Sequence, residues 1–96
     1  MWDGDHTGLK KLIKASMNDE SSYKHIETTF TYIDEEKRQK EINDILANAG
    51  LSERVSIGDF LIITDFSGKN AFNATVKNTA LGIEYKDGSV NLLAID

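Results

Sequence analysis

The chain has 96 residues, 40% of them hydrophobic and 28% charged, which is the size and composition of one ordinary globular domain. It contains no cysteine, and this excludes a disulfide scaffold, a thiolate zinc site, an iron–sulfur cluster and a cysteine nucleophile together. Sixteen acidic against 11 basic residues leave a net charge of -5 and speak against a nucleic-acid partner, because neutralising phosphates takes clustered Lys and Arg.

The first element read from the sequence is a helix. Asp5 or Thr7 can cap it, and Leu9, Leu12, Ile13 and Met17 recur on one face, with Lys10, Lys11 and Lys14 opposite. The polar run Asn18 to Ser22 stops it, and Tyr23 to Ile33, rich in Thr, Ile, Phe and Tyr, reads as a long strand. Alternation places Ile26, Thr28, Phe30 and Tyr32 on one face, taken as the core face, and His25, Glu27, Thr29 and Thr31 on the other. Asp34 can cap a second helix with an acidic first turn. Its buried stripe is Ile42, Ile45, Leu46 and Ala49, and it stops where Gly50 can turn left-handed. Asp34/Arg38 and Glu36/Lys40 stand at i, i+4 spacing on its polar end.

Phe60 to Phe66 reads as the second strand, and Ser67-Gly68-Lys69-Asn70 as a hairpin turn. The third strand runs from Ala71 to about Lys86 and changes its apolar phase midway, from Phe72, Ala74 and Val76 to Leu81, Ile83 and Tyr85. A bulge near Asn78 or Gly82 would reconcile the halves. Asp87-Gly88 signals a second hairpin into a last strand, Ser89 to Ile95. The expected fold is α+β in the order αβαβββ: a two-layer sandwich with a four-stranded antiparallel sheet and both helices on one face. The longest apolar runs, Phe60 to Ile63 and Leu92 to Ile95, are far shorter than the roughly 20 residues of a spanning helix. Met1-Trp2-Asp3-Gly4 has neither the basic nor the apolar region of a secretory signal.

Residues with chemical potential are few. Asp3, Asp5 and His6 are the nearest approach to a metal-ligand cluster, but an Asp before a helix is a routine cap and no second cluster supplies further ligands. His25 beside Glu27 is the one acid–base pair, and a lone strand histidine is ordinarily solvated. Gly-x-Ser-x-Gly, Gly-x-Gly-x-x-Gly and Walker patterns are absent, so no catalytic residue, cofactor or metal is expected. Lys10, Lys11, Lys14 and Lys24 form a basic patch without interleaved aromatics. Asn73-Ala74-Thr75 matches the N-glycosylation triplet. Trp2 reads either as a lid folded on the core or as an exposed anchor for a partner.

Three groups of residues taken together carry a resemblance: Trp2-Asp3-Gly4; Asn18-Asp19 with Ser22 to Thr28; and Gly68-Lys69-Asn70-Ala71-Phe72 with Thr75 to Thr79. They resemble an uncharacterised family of small bacterial domains that lie C-terminal to a membrane or secretion segment. Glu20 stands where that family has Pro, Asn73-Ala74 where it has Gly-Gly, and the second helix looks like an insertion. The resemblance implies an extracytoplasmic or membrane-tethered location but no activity. The expectation is therefore a non-catalytic accessory or interaction domain of an envelope-associated protein, with Trp2, Gly68, Lys69, Asn70 and Phe72 as the candidate surface for a protein partner. The alternative is a small-ligand-binding domain with an apolar cavity between helix and curved sheet.

Overall fold

A computed structural model describes residues 6–96. Helix α1 (Thr7–Ala15) leads through a 3-10 turn (Glu20–Ser22) into strand β1 (Lys24–Tyr32), followed by helix α2 (Glu36–Asn48) and strands β2 (Phe60–Lys69), β3 (Thr75–Glu84) and β4 (Val90–Ile95). The strands form one antiparallel sheet in the order β1-β2-β3-β4. The α+β class, the four-stranded antiparallel sheet and the order αβαβββ are those expected from the sequence. Among the described residues no helix is long and apolar enough to cross a membrane.

The helices differ from expectation in where they bury their stripes. Leu61 and Ile62 are neighbours in β2 and both are buried, yet they belong to different clusters. Successive strand residues point to opposite faces, so both faces of the sheet are covered here. On one face Leu9 and Ile13 of α1 pack on Ile62, Phe66 and Ala80. On the other, Leu46 of α2 joins Ile33, Val55, Leu61 and Ile83. This double coverage also explains the phase change in β3. The pairing with β2 runs unbroken from Phe60↔Glu84 to Lys69↔Thr75; Ala80 faces α1 while Leu81 and Ile83 face the α2 side. The irregularity that does occur falls at Leu81/Gly82 in the pairing with β4, where Gly82 faces Leu92 and Leu81 faces Ala94, leaving Leu93 as the extra residue.

A second bulge lies in β1, where the register shifts between His25 and Glu27. Ile26 is the extra residue and is 47% exposed, so it is not a core residue. The bulge turns His25 onto the face of Thr28, opposite Phe66, and separates it from Glu27, which stands opposite Asp65. His25 Nε2 lies 2.8 Å from Thr28 Oγ1, which in turn lies 3.0 Å from the Oγ1 of buried Thr64.

The helix caps also differ. His6 caps α1: its Nδ1 accepts the Leu9 N–H at 2.9 Å, which places the ring proton on Nε2, bonded to Glu84 Oε1. Asp5 lies outside the described residues, and Thr7 is the first helical residue rather than the cap. Helix α2 starts after Glu35 without a side-chain cap, and Asp34 instead pairs with Arg38 at 3.4 Å. Gly50 is left-handed at φ 79, as a C′ glycine should be. Leu46 is the buried residue of α2 and Ile42 packs beside it, but Ile45 and Ala49 are exposed.

Candidate functional site

Of the expected turn at Ser67 to Asn70, Ser67 to Lys69 are strand instead: Ser67 pairs with Lys77, Gly68 with Val76 and Lys69 with Thr75. Chain reversal comes later, over Asn70 to Ala74, and Asn70 controls it. Its N–H donates to Ala74 O at 2.9 Å and its carbonyl accepts the Asn73 N–H at 3.0 Å. Its side-chain Oδ1 accepts the N–H groups of Phe72 (2.9 Å) and Ala74 (3.1 Å). An Asn side chain bonded to the backbone ahead of it fixes a turn without Pro or Gly. Asn73 completes the reversal at φ 61, the left-handed conformation that Asn tolerates better than most residues. This scaffold holds Phe72 at the tip with 90% of its surface exposed.

Gly68 is needed for a reason other than a turn. A Cβ there would meet Met17 Cε at 2.4 Å, so the missing side chain is the seat of a methionine. Met17 follows the C-terminal end of α1, where Ser16 Oγ donates to Ile13 O. The segment after it is pinned to the hairpin by the Lys69 N–H, which donates to Ser22 Oγ at 2.8 Å.

Between these elements lies an open groove of about 180 Å³. Met17, Phe66, Val76 and Ile95 give it an apolar floor, and Asn18, Lys69, Asn70 and Asn78 are among its polar groups. Of the residues singled out from the sequence, Gly68, Lys69 and Asn70 line this groove and Phe72 stands at the tip of the same hairpin. Trp2 lies outside the described residues, as do Asp3 and Asp5. Met17, Val76 and Ile95 were missed as groove residues, because in sequence they are ordinary members of apolar stripes.

At the far end of the sheet a wider cleft of about 360 Å³ is lined by Arg54, Asp59, Tyr85 and Lys86 among others. Its charged groups hold the loops together. Buried Asp59 accepts the Ser56 N–H (2.7 Å) and the Lys86 N–H (2.9 Å), and Arg54 Nη1 donates to the carbonyls of Leu51 and Glu53. In the adjoining hairpin Asp87 accepts both the hydroxyl and the N–H of Ser89, which hold its carboxyl below the ordinary value of 3.8. We take the smaller groove as the site, because two apolar residues of its lining, Val76 and Ile95, are exposed to solvent.

The other chemical candidates are not assembled. His25 and Glu27 stand on opposite faces, Glu84 is bonded to His6, and both ring nitrogens of His6 are engaged. Among the described residues no group of three or more His, Asp or Glu is placed to hold a metal. The space between α1 and the sheet is closely packed, with Leu9 Cδ1 only 2.6 Å from where a Gly82 Cβ would stand. Comparison with protein-family models, with curated proteins and with solved structures gives no match for this chain.

Proposed function

We propose that the chain is a non-catalytic interaction domain whose contact surface is the β2–β3 hairpin with its groove. The observation that carries the reading is Phe72: a phenylalanine 90% exposed on a turn held rigid by four hydrogen bonds to Asn70. Leaving that much apolar surface in water forgoes roughly 2 kcal/mol of burial, and a partner recovers it. Fixing the turn in advance reduces the ordering cost of association. The sheet edge at β1 is a less suitable contact, because a bulge at Ile26 and the charge of Lys24 are the devices that keep edge strands from pairing. The resemblance to bacterial domains behind a membrane or secretion segment adds the setting: an accessory domain tethered at the cell envelope.

A photo-crosslinking residue at position 72, introduced in the chain's native cells, tests the contact. Discrete adducts at 72 and none at exposed Asn48 on α2 are expected. Absence of adducts at 72, or the same pattern at both positions, rejects the reading. Fractionation of the same cells tests the setting, with the chain expected in the envelope fraction and not with cytoplasmic proteins.

A further inference from the structure

We infer that His6 makes the entry of α1 a proton-operated latch: when neutral it caps the helix, and when protonated it gives up the cap while keeping its hold on β3. The inference lies outside the hairpin and stands apart from the reading of its groove.

The imidazole has two partners that require opposite things of it. Its Nδ1 accepts the Leu9 N–H at 2.9 Å and is therefore bare, while its Nε2 carries the proton bonded to Glu84 Oε1. A second proton can enter only at Nδ1. It turns the acceptor into a donor, so that two N–H groups face each other, whereas the bond to the Glu84 carboxylate becomes charge-assisted. Histidine is the side chain suited to such an exchange under physiological conditions.

Burial gives the exchange its consequence. Leu9 is 0% exposed and belongs to the cluster with Ile13, Ile62, Phe66 and Ala80, so no water can replace the lost acceptor in the intact turn. A backbone N–H left without a partner inside the protein is costly, and opening the turn Thr7 to Lys10 relieves that cost. The ring is enclosed as well. Its side chain is 14% exposed and folds back over Gly8, where a Cβ would lie 3.2 Å from its Cε1 and 3.1 Å from Val90 of β4. From β1, Phe30 faces the ring at 6.0 Å between centroids, and Tyr32 shares a cross-strand row with Phe60 and Glu84. On α1 itself, Lys10 has its ammonium over the Tyr23 ring. Glu84 is thus the charged group bonded to the imidazole; Asp3 and Asp5 lie outside the described residues.

The test is an NMR titration of the isotope-labelled whole chain from about pH 8 to about pH 5. At the upper end, Nδ1 of His6 should give the signal of an unprotonated ring nitrogen. As the ring takes up its proton, the Leu9 amide signal should move on the same one-proton curve. The Cα shifts of Thr7 to Lys10 should lose most of their helical displacement while those of Ile13 and Lys14 keep theirs. His6→Asn supplies a cap that does not titrate, and its Leu9 amide should stay constant over the range. His25→Gln should leave the Leu9 curve as in wild type. A proton on Nδ1 at the upper end overturns the latch, as does a His6 ring that never changes charge. So does a ring that changes charge while Leu9 and the first turn stay in place, or a Leu9 amide that still follows pH in His6→Asn. The wild-type titration is decisive by itself, even if a variant fails to fold.

Discussion

Gly82 has no Cβ because Leu9 occupies its place: an added methyl would stand 2.6 Å from Leu9 Cδ1 and 3.2 Å from the Asn91 carbonyl. The carbonyl is backbone and cannot give way, so Gly82→Ala overpacks the α1 face and should cost about 1–3 kcal/mol in urea unfolding. Gly68→Ala meets the end of Met17, a flexible thioether, and should cost less despite the closer approach of 2.4 Å. Equal losses would show that Met17 is as fixed as Leu9. Asp87 supports a prediction in pH. Its carboxyl titrates below 3.8, chiefly because the Ser89 hydroxyl and then the Ser89 N–H bond the charged form. A carboxyl lowered by folding stabilises the fold above its unfolded value and loses that contribution as pH falls through its folded value. Asp87→Ala should therefore lower Tm at pH 7 and differ progressively less from wild type as the pH falls below 3.8. A Tm difference that does not change over that range would place the role of Asp87 in turn shape alone.

Helix α2 is fastened along a narrow line. Leu46 is its buried residue, and Asn43 clamps the connector by accepting the Val55 N–H at 2.7 Å and donating to the Val55 carbonyl at 3.0 Å. Val55 itself is buried, so Asn43→Ala leaves two backbone groups without partners at about 1–3 kcal/mol each. Hydrogen exchange should then quicken in α2 while the β2–β3 ladder keeps its protection; uniform acceleration would mean that α2 and the sheet open together. The existence of α2 and its end were legible in the sequence, since the apolar spacing and Gly50 are local signals. Its width of contact was not: Ile45 belongs to the same helical stripe as Leu46 yet is 59% exposed, whereas Leu46 is buried in the cluster with Ile33, Val55, Leu61 and Ile83. The β1 bulge was equally hidden. Ile is no bulge marker, and only the pairing of His25 with Phe66 reveals that the alternation breaks. The hairpin misled for a physical reason, since Gly68 has turn composition but serves as a seat for Met17. Asn70 and Phe72 were singled out through the resemblance, and of the two only the turn-forming tendency of Asn70 is a local signal in the sequence.

At the scale of the whole molecule, the radius of gyration is 13.9 Å, where a compact chain of this length has about 12.5 Å. The chain divides its apolar residues between two clusters on opposite faces of one sheet, and neither alone is large. They are joined through consecutive residues, Leu61 in one and Ile62 in the other, and through Ala80 and Ile83 of β3. Losing either helix would strip one face of strands whose other face still holds its partner, leaving the sheet half wet. The two clusters should therefore melt together. Ile13→Ala on the α1 side and Leu46→Ala on the α2 side should each cost about 2–5 kcal/mol. Combined, they approach the total stability of about 5–15 kcal/mol usual for a domain, and the double variant should be largely unfolded at room temperature. Tyr23 packs against the first cluster and Tyr85 against the second, so their ring signals in NMR report the two sides separately. In the Leu46→Ala variant both signals should vanish at one urea concentration, shifted down together from wild type. If Tyr85 lost its native signal while Tyr23 kept its own, the sheet would be carrying two independent cores, and the coupling through Leu61 and Ile62 would be refuted.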